Sequence, residues 1–168
     1  MITLLVAFTA LWGTWSANHF GADEDREKES RERRATIYAD YLGATRNYLF
    51  DQMGVAAAEG ILDLDKKVAK SPSASENLAA QNRIDVAQHY LADANAKASK
   101  SRSEYERQAD LVYVYGSDAA WAVQLRIQES LVRKDGKAPQ LMVSDDLRDF
   151  QAVFCREASA TPRDGCGN

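Results

Sequence analysis

The chain has 168 residues, a formal net charge of −4 and two cysteines, which leaves room for one domain of ordinary size beside a targeting or anchoring segment. There is no basic field to hold a phosphate backbone, so nucleic acid is not an expected partner. Cys155 and Cys166 are too few for a disulfide scaffold and lack zinc-site spacing.

Met1 to Phe20 carries no charged side chain. Twenty helical residues reach about 30 Å, roughly one hydrocarbon core, so residues 1–21 read as a transmembrane anchor. A cleaved signal peptide is the competing reading. However, no Lys or Arg precedes the apolar core, and Trp15 stands where cleavage after Ala17 would require a small residue. Trp12, Trp15, His19 and Phe20 gather at one end, as amphipathic rings do at a headgroup boundary, and mark the side facing the domain. Thr9, Gly13 and Ala17 recur every four residues on one helix face, a pattern that suits self-association in a bilayer, although small residues are common in any such helix.

Residues 22–35 form a charged stalk: from Asp23 to Arg34 only Ser30 is uncharged. Glu24 with Lys28, Glu27 with Arg31, and Glu29 with Arg33 stand four apart with the acid first, which supports a solvated helix by a few tenths of a kcal/mol per pair. Arg26, Lys28, Arg31, Arg33 and Arg34 outweigh the lone α-amino group on the other side of the span. That count places the domain in the cytoplasm, with both cysteines as reduced thiols, although the acidic Asp23 to Asp25 stands nearest the membrane. A periplasmic or extracellular domain is the alternative.

Residues 36–160 read as a helical bundle. Ile37, Tyr41, Ala44, Tyr48, Val55, Ala58 and Leu62 follow spacings of four and three, with Tyr38, Leu42, Leu49 and Met53 widening the stripe. This predicts one helix continuing from the stalk to about Lys70. Gly43, Gly54 and Gly60 each cost about 1 kcal/mol against Ala and point to places where another backbone comes close. Ser71 to Ser75 is a turn, and Ser73 with Glu76 has capping-box spacing. A second long helix follows to Tyr115, with Ala80, Ile84, Ala87, Leu91, Ala94, Ala98, Tyr105, Ala109 and Val112 as its seam. LVYVY at 111–115 continues that seam and is read as helix despite its β-propensity.

Gly116 ends the second helix and Ser117 or Asp118 caps a third, with Trp121, Leu125 and Val132 on its buried side and Ile127 and Leu131 adjacent. A fourth starts near Ser144 and buries Leu147, Phe150, Phe154 and Ala158, leaving residues 161–168 as a tail. The fold class is therefore all-α: an N-terminal transmembrane helix running through a charged stalk into an elongated antiparallel bundle of two long and two shorter helices.

GTWSANHF before a charged run, RRATIYADYLGATRNYL after it, YGSDAAWAVQL later and DLRDFQAVFCREA near the end resemble a widespread group of uncharacterised bacterial and phage single-pass membrane proteins. The resemblance implies a membrane-anchored helical bundle, coiled-coil-like and with a cytoplasmic domain, and no assigned reaction. It therefore carries over no catalytic residue.

Asp85, His89 and Asp93 share a helix face and have metal-ligating side chains, but the face lies opposite the seam and reads as a solvated row. No nucleophile motif, phosphate loop or HExxH occurs. No cofactor, metal or reaction is expected. Cys155 flanks the apolar face of the last helix and reads as an inert packed thiol. The leading expectation is a non-catalytic module tethered to the lipid bilayer that binds another protein or itself as a homodimer. An inner-membrane spanin-like phage lysis subunit and an extracytoplasmic sensor bundle are the alternatives.

Overall fold

A chain with long glycine- and proline-free stretches and a four-three apolar rhythm has one economical way to bury its stripe, which is to pair helices along their length. The computed structural model, which describes the backbone of residues 2–70, 74–131 and 143–158 and side chains from residue 24 onward apart from 74–78, shows four helices. They are α1 (Ile2–Val68), α2 (Ala74–Tyr115), α3 (Asp118–Leu131) and α4 (Val143–Ala158). No strand occurs among the described residues. The LVYVY segment is the last turn and a half of α2, with Val112 fully buried while Tyr113 and Val114 face solvent.

α1 is unbroken for 67 residues, about 100 Å of rod. α2 returns antiparallel along it: Tyr48 stacks on Tyr105 with ring centroids 5.6 Å apart, and nearer the reversal Asp65 lies 3.8 Å from Arg83. The α1 residues of the expected seam, Ile37, Tyr41, Ala44, Tyr48, Val55, Ala58 and Leu62, are all buried. On α2, Ile84, Tyr105 and Val112 are buried, while Leu91 and Ala94 are only partly so.

The two halves of this hairpin differ. Toward the stalk, α3 folds back on α2 and α4 runs antiparallel to α3, so Ile37 to Tyr48, Tyr105 to Val112, Ile127 and Phe150 share one four-helix core. Toward the reversal α1 and α2 are the only described elements, and the second core there is small among the described residues: Leu62, Ile84 and Ala87, with Ala69 and Leu91 against it. The distal arm is a two-helix rod.

Three expectations are corrected. The first concerns α3, which buries Ala120, Val123, Gln124, Ile127 and Leu131, whereas Leu125 is 41 % exposed and Trp121 lies at the edge against the Tyr113 ring at 4.8 Å. The Ser117 hydroxyl, accepting the Ala120 N–H at 3.1 Å, fixes where the helix starts and hence which face turns inward. The second is Met53, expected in the stripe but 54 % exposed. The third concerns the membrane: among the described residues no helix is long and apolar enough to cross one. The run Trp12 to His19 mixes two Trp with Gly, Thr, Ser, Asn and His, which dilutes the apolar stretch Ile2 to Leu11.

The stalk also joins the domain earlier than its charge suggests. The Arg33 guanidinium lies over the Tyr115 ring, 5.0 Å from its centroid, and the Arg34 Nε is buried. Lys28 approaches Glu32 to 4.0 Å, with the base rather than the acid on the N-terminal side. Gly116 marks the reversal into α3: a Cβ there would run into the Val112 carbonyl, which accepts the Gly116 N–H at 2.8 Å.

Candidate functional site

Two arrangements stand out, one polar and half-buried, one apolar and exposed. The first ties three helices together where α1 leaves the stalk. Tyr38 on α1 donates its hydroxyl to Glu157 on α4 at 2.7 Å, and that phenolic oxygen accepts the Ser117 N–H at 3.1 Å. The Ser117 hydroxyl donates to the other Glu157 oxygen while it caps α3. The hydroxyls and the carboxylate are thus bonded to each other, and they lock the start of α3 and the end of α4 onto α1. Burial, and then the bond to Glu157, raises the Tyr38 pKa above its ordinary value.

Beside this clamp the core holds further polar groups. Thr45 bonds back to the Tyr41 carbonyl at 2.8 Å, and the Gln124 amide reaches Gln128 at 3.4 Å. The Tyr41 hydroxyl is buried without a hydrogen-bond partner among the described residues, and its pKa is pushed far up, first by burial. The contrast between two tyrosines in one core predicts opposite results. Tyr38→Phe strips a partner from Glu157 and from the Ser117 N–H and is expected to cost about 1–3 kcal/mol. Tyr41→Phe removes a buried hydroxyl that meets the Tyr105 and Thr45 hydroxyls without a well-formed hydrogen bond and is expected to leave stability unchanged or raise it by about 1 kcal/mol. Urea midpoints of the two variants against the parent check both; equal losses would show that Tyr41 has a hydrogen bond in solution.

The second arrangement is the exposed face of the distal arm. Phe50 is 72 % exposed and Leu64 62 %, and Ile61 and Val68 are each about half exposed. Two grooves open on the same side of the hairpin. One, of about 320 Å³, lies between Asn47, Phe50 and Asp51 of α1 and Lys97 to Glu104 of α2. The other, of about 500 Å³ and almost wholly apolar, lies between Ile61 and Asp65 of α1 and Arg83, Val86 and Tyr90 of α2. Their α1 linings repeat at heptad-equivalent positions, so they are two stretches of a single uncovered face. Gly54 and Gly60 lie along it, and among the described residues a Cβ on either would meet no atom within 4 Å beyond its own stretch of helix. The close backbone expected at Gly43, Gly54 and Gly60 is thus not supplied by the described residues.

Of the other expected residues, Phe150 is fully buried and Phe154 partly so, with Tyr38 edge-on to both rings at 5.3 and 6.1 Å. Asp85, His89 and Asp93 are exposed on α2, and no group of metal-ligating side chains forms among the described residues. Trp12, Trp15, His19 and Phe20, and Thr9, Gly13 and Ala17, belong to α1, but their side chains lie outside the described residues, as do Val132 and the tail at 161–168. Cys155 corrects the expectation of a free packed thiol: it is disulfide-bonded. Comparison with family models, curated proteins and solved structures finds no match to this chain.

Proposed function

We propose that this chain is a non-catalytic helical module that holds to a membrane surface by residues 1–21 and acts by binding protein, itself included, through its projecting arm. The observation that carries this reading is the juxtaposition along one helix: α1 is continuous from Ile2 to Val68, uncharged at one end and bearing an uncovered apolar face at the other. Exposed apolar stripes of this length mark interaction surfaces more often than solvated ones. The apolar core Ile2 to Leu11 with an aromatic boundary supports a tether whose second half sits among headgroups rather than in hydrocarbon. Flotation of the full chain with anionic vesicles tests this: co-flotation that resists carbonate washing is expected, and a chain left wholly at the bottom of the gradient overturns the tether.

A second reading is favoured by one observation. A disulfide at Cys155 suits an oxidising compartment, which argues for an extracytoplasmic domain, as a spanin-like subunit or sensor bundle would have, against the cytoplasmic side favoured by the arginine count. A reporter active on only one side of the membrane, fused after Asn168, separates the two. Reporter activity outside the cytoplasm would assign the domain there and discard the cytoplasmic topology.

A further inference from the structure

The distal face has a register of its own. Asn47, Gly54, Ile61 and Val68 stand seven apart, and Phe50, Ala57 and Leu64 interleave with them, so a second heptad seam runs along α1 beside the one that α2 covers. Its composition discriminates between partners. β-branched Ile61 and Val68 alternate with Leu64 in the order that favours two parallel strands. A single polar Asn47 in the same set fixes register, as a lone Asn does in parallel coiled coils. In a parallel in-register pair, Arg46 of one chain faces Asp51 of the other, since the charged positions that meet across such a seam lie five residues apart. Gly54 and Gly60, with open space where a Cβ would stand, let a second backbone approach at this level.

We infer that the uncovered face of α1 from Asn47 to Val68 is the seat of a second copy of this chain, packed parallel and in register. The partner α1 then lies along the two grooves bordered by Lys97 and by Val86 and Tyr90, and the arm becomes four helices thick, as the stalk-side half already is within one chain. A parallel pair also leaves both N-terminal segments on the same side, as a common membrane requires. The inference rests on the protein-binding reading above but not on the tether.

The test uses the full chain in detergent. Its mass by sedimentation, corrected for bound detergent, is expected to be that of two chains. Leu64→Asp changes a side chain that is 62 % exposed and so is expected to leave helicity intact while weakening the dimer at least about thirtyfold. Phe50→Cys and Val68→Cys, each alone and oxidised with copper phenanthroline, are expected to give cross-linked dimers above the background of the unmodified chain. A parent of single-chain mass overturns the inference whether or not the chain floats with vesicles. Cross-linking only when Phe50→Cys and Val68→Cys chains are mixed overturns it in favour of an antiparallel pair, and a Leu64→Asp chain that stays dimeric moves the interface elsewhere.

Discussion

Phe150→Ala is expected to lower the stability of the bundle by about 3–5 kcal/mol, the largest single loss foreseen for a side-chain truncation here. The ring is fully buried, with its centroid 4.7 Å from that of Tyr41 and 5.3 Å from that of Tyr38. It is the main apolar plug by which α4 closes the four-helix end. Removing it leaves a cavity that rigid neighbouring helices collapse around poorly, and it also dissolves two aromatic pairs. Since a domain of this size has a total stability of about 5–15 kcal/mol, the variant stands near the edge of unfolding. Urea unfolding followed by circular dichroism gives the loss directly. Phe154→Ala, whose ring is only partly buried, is the comparison and should lose distinctly less; equal losses would mean that α4 docks through a different face.

The second large effect is alkaline unfolding. Tyr38, Tyr41 and Tyr105 all have pKa values raised, in each case first by burial. In the unfolded chain these phenols lose their protons near pH 10, while in the folded chain they keep them. Above that pH the unfolded state therefore binds fewer protons, and stability falls as pH rises. The contribution is fully present below about pH 10 and disappears as the pH climbs toward the folded values. Each tyrosine adds a slope of about 1.4 kcal/mol per pH unit, so the three together approach about 4 kcal/mol per unit. Urea midpoints between pH 9 and 12 measure this, with phenolate absorbance lagging until the helices melt. A midpoint unchanged to pH 11 would show that these rings titrate freely and that the core described here opens to solvent.

The long helices were legible because their evidence is periodic and local. The four-three rhythm of Ile37 to Leu62 and the glycine- and proline-free run to Tyr115 specify two rods and their facing sides. α3 was legible in its existence but not in its phase. Ranking by size points to Trp121 and Leu125 as the buried pair, whereas the core takes in Gln124, a polar side chain whose amide lies 3.5 Å from the Tyr105 hydroxyl and also reaches Gln128. Nothing local to α3 announces that partner, which is 19 residues away. The clamp was hidden for the same reason: Tyr38 and Glu157 are 119 positions apart, and each passes for an ordinary stripe or surface residue until α4 is docked. The distal seam was visible in part. Gly43, Gly54 and Gly60 were expected to meet another backbone and stand in open space among the described residues, whereas Met53 was placed in the first stripe by its apolar side chain alone and lies on the solvent side of it.

One further consequence follows from α1 having no break between its first residues and the far end of the arm. Such a rod transmits twist: inserting one residue in the charged segment would swing everything beyond it by about 100° relative to the beginning of the chain, and inserting seven would restore the angle to within about 20°. The compass bearing of the tip is therefore set some 70 Å away, by the count of residues between.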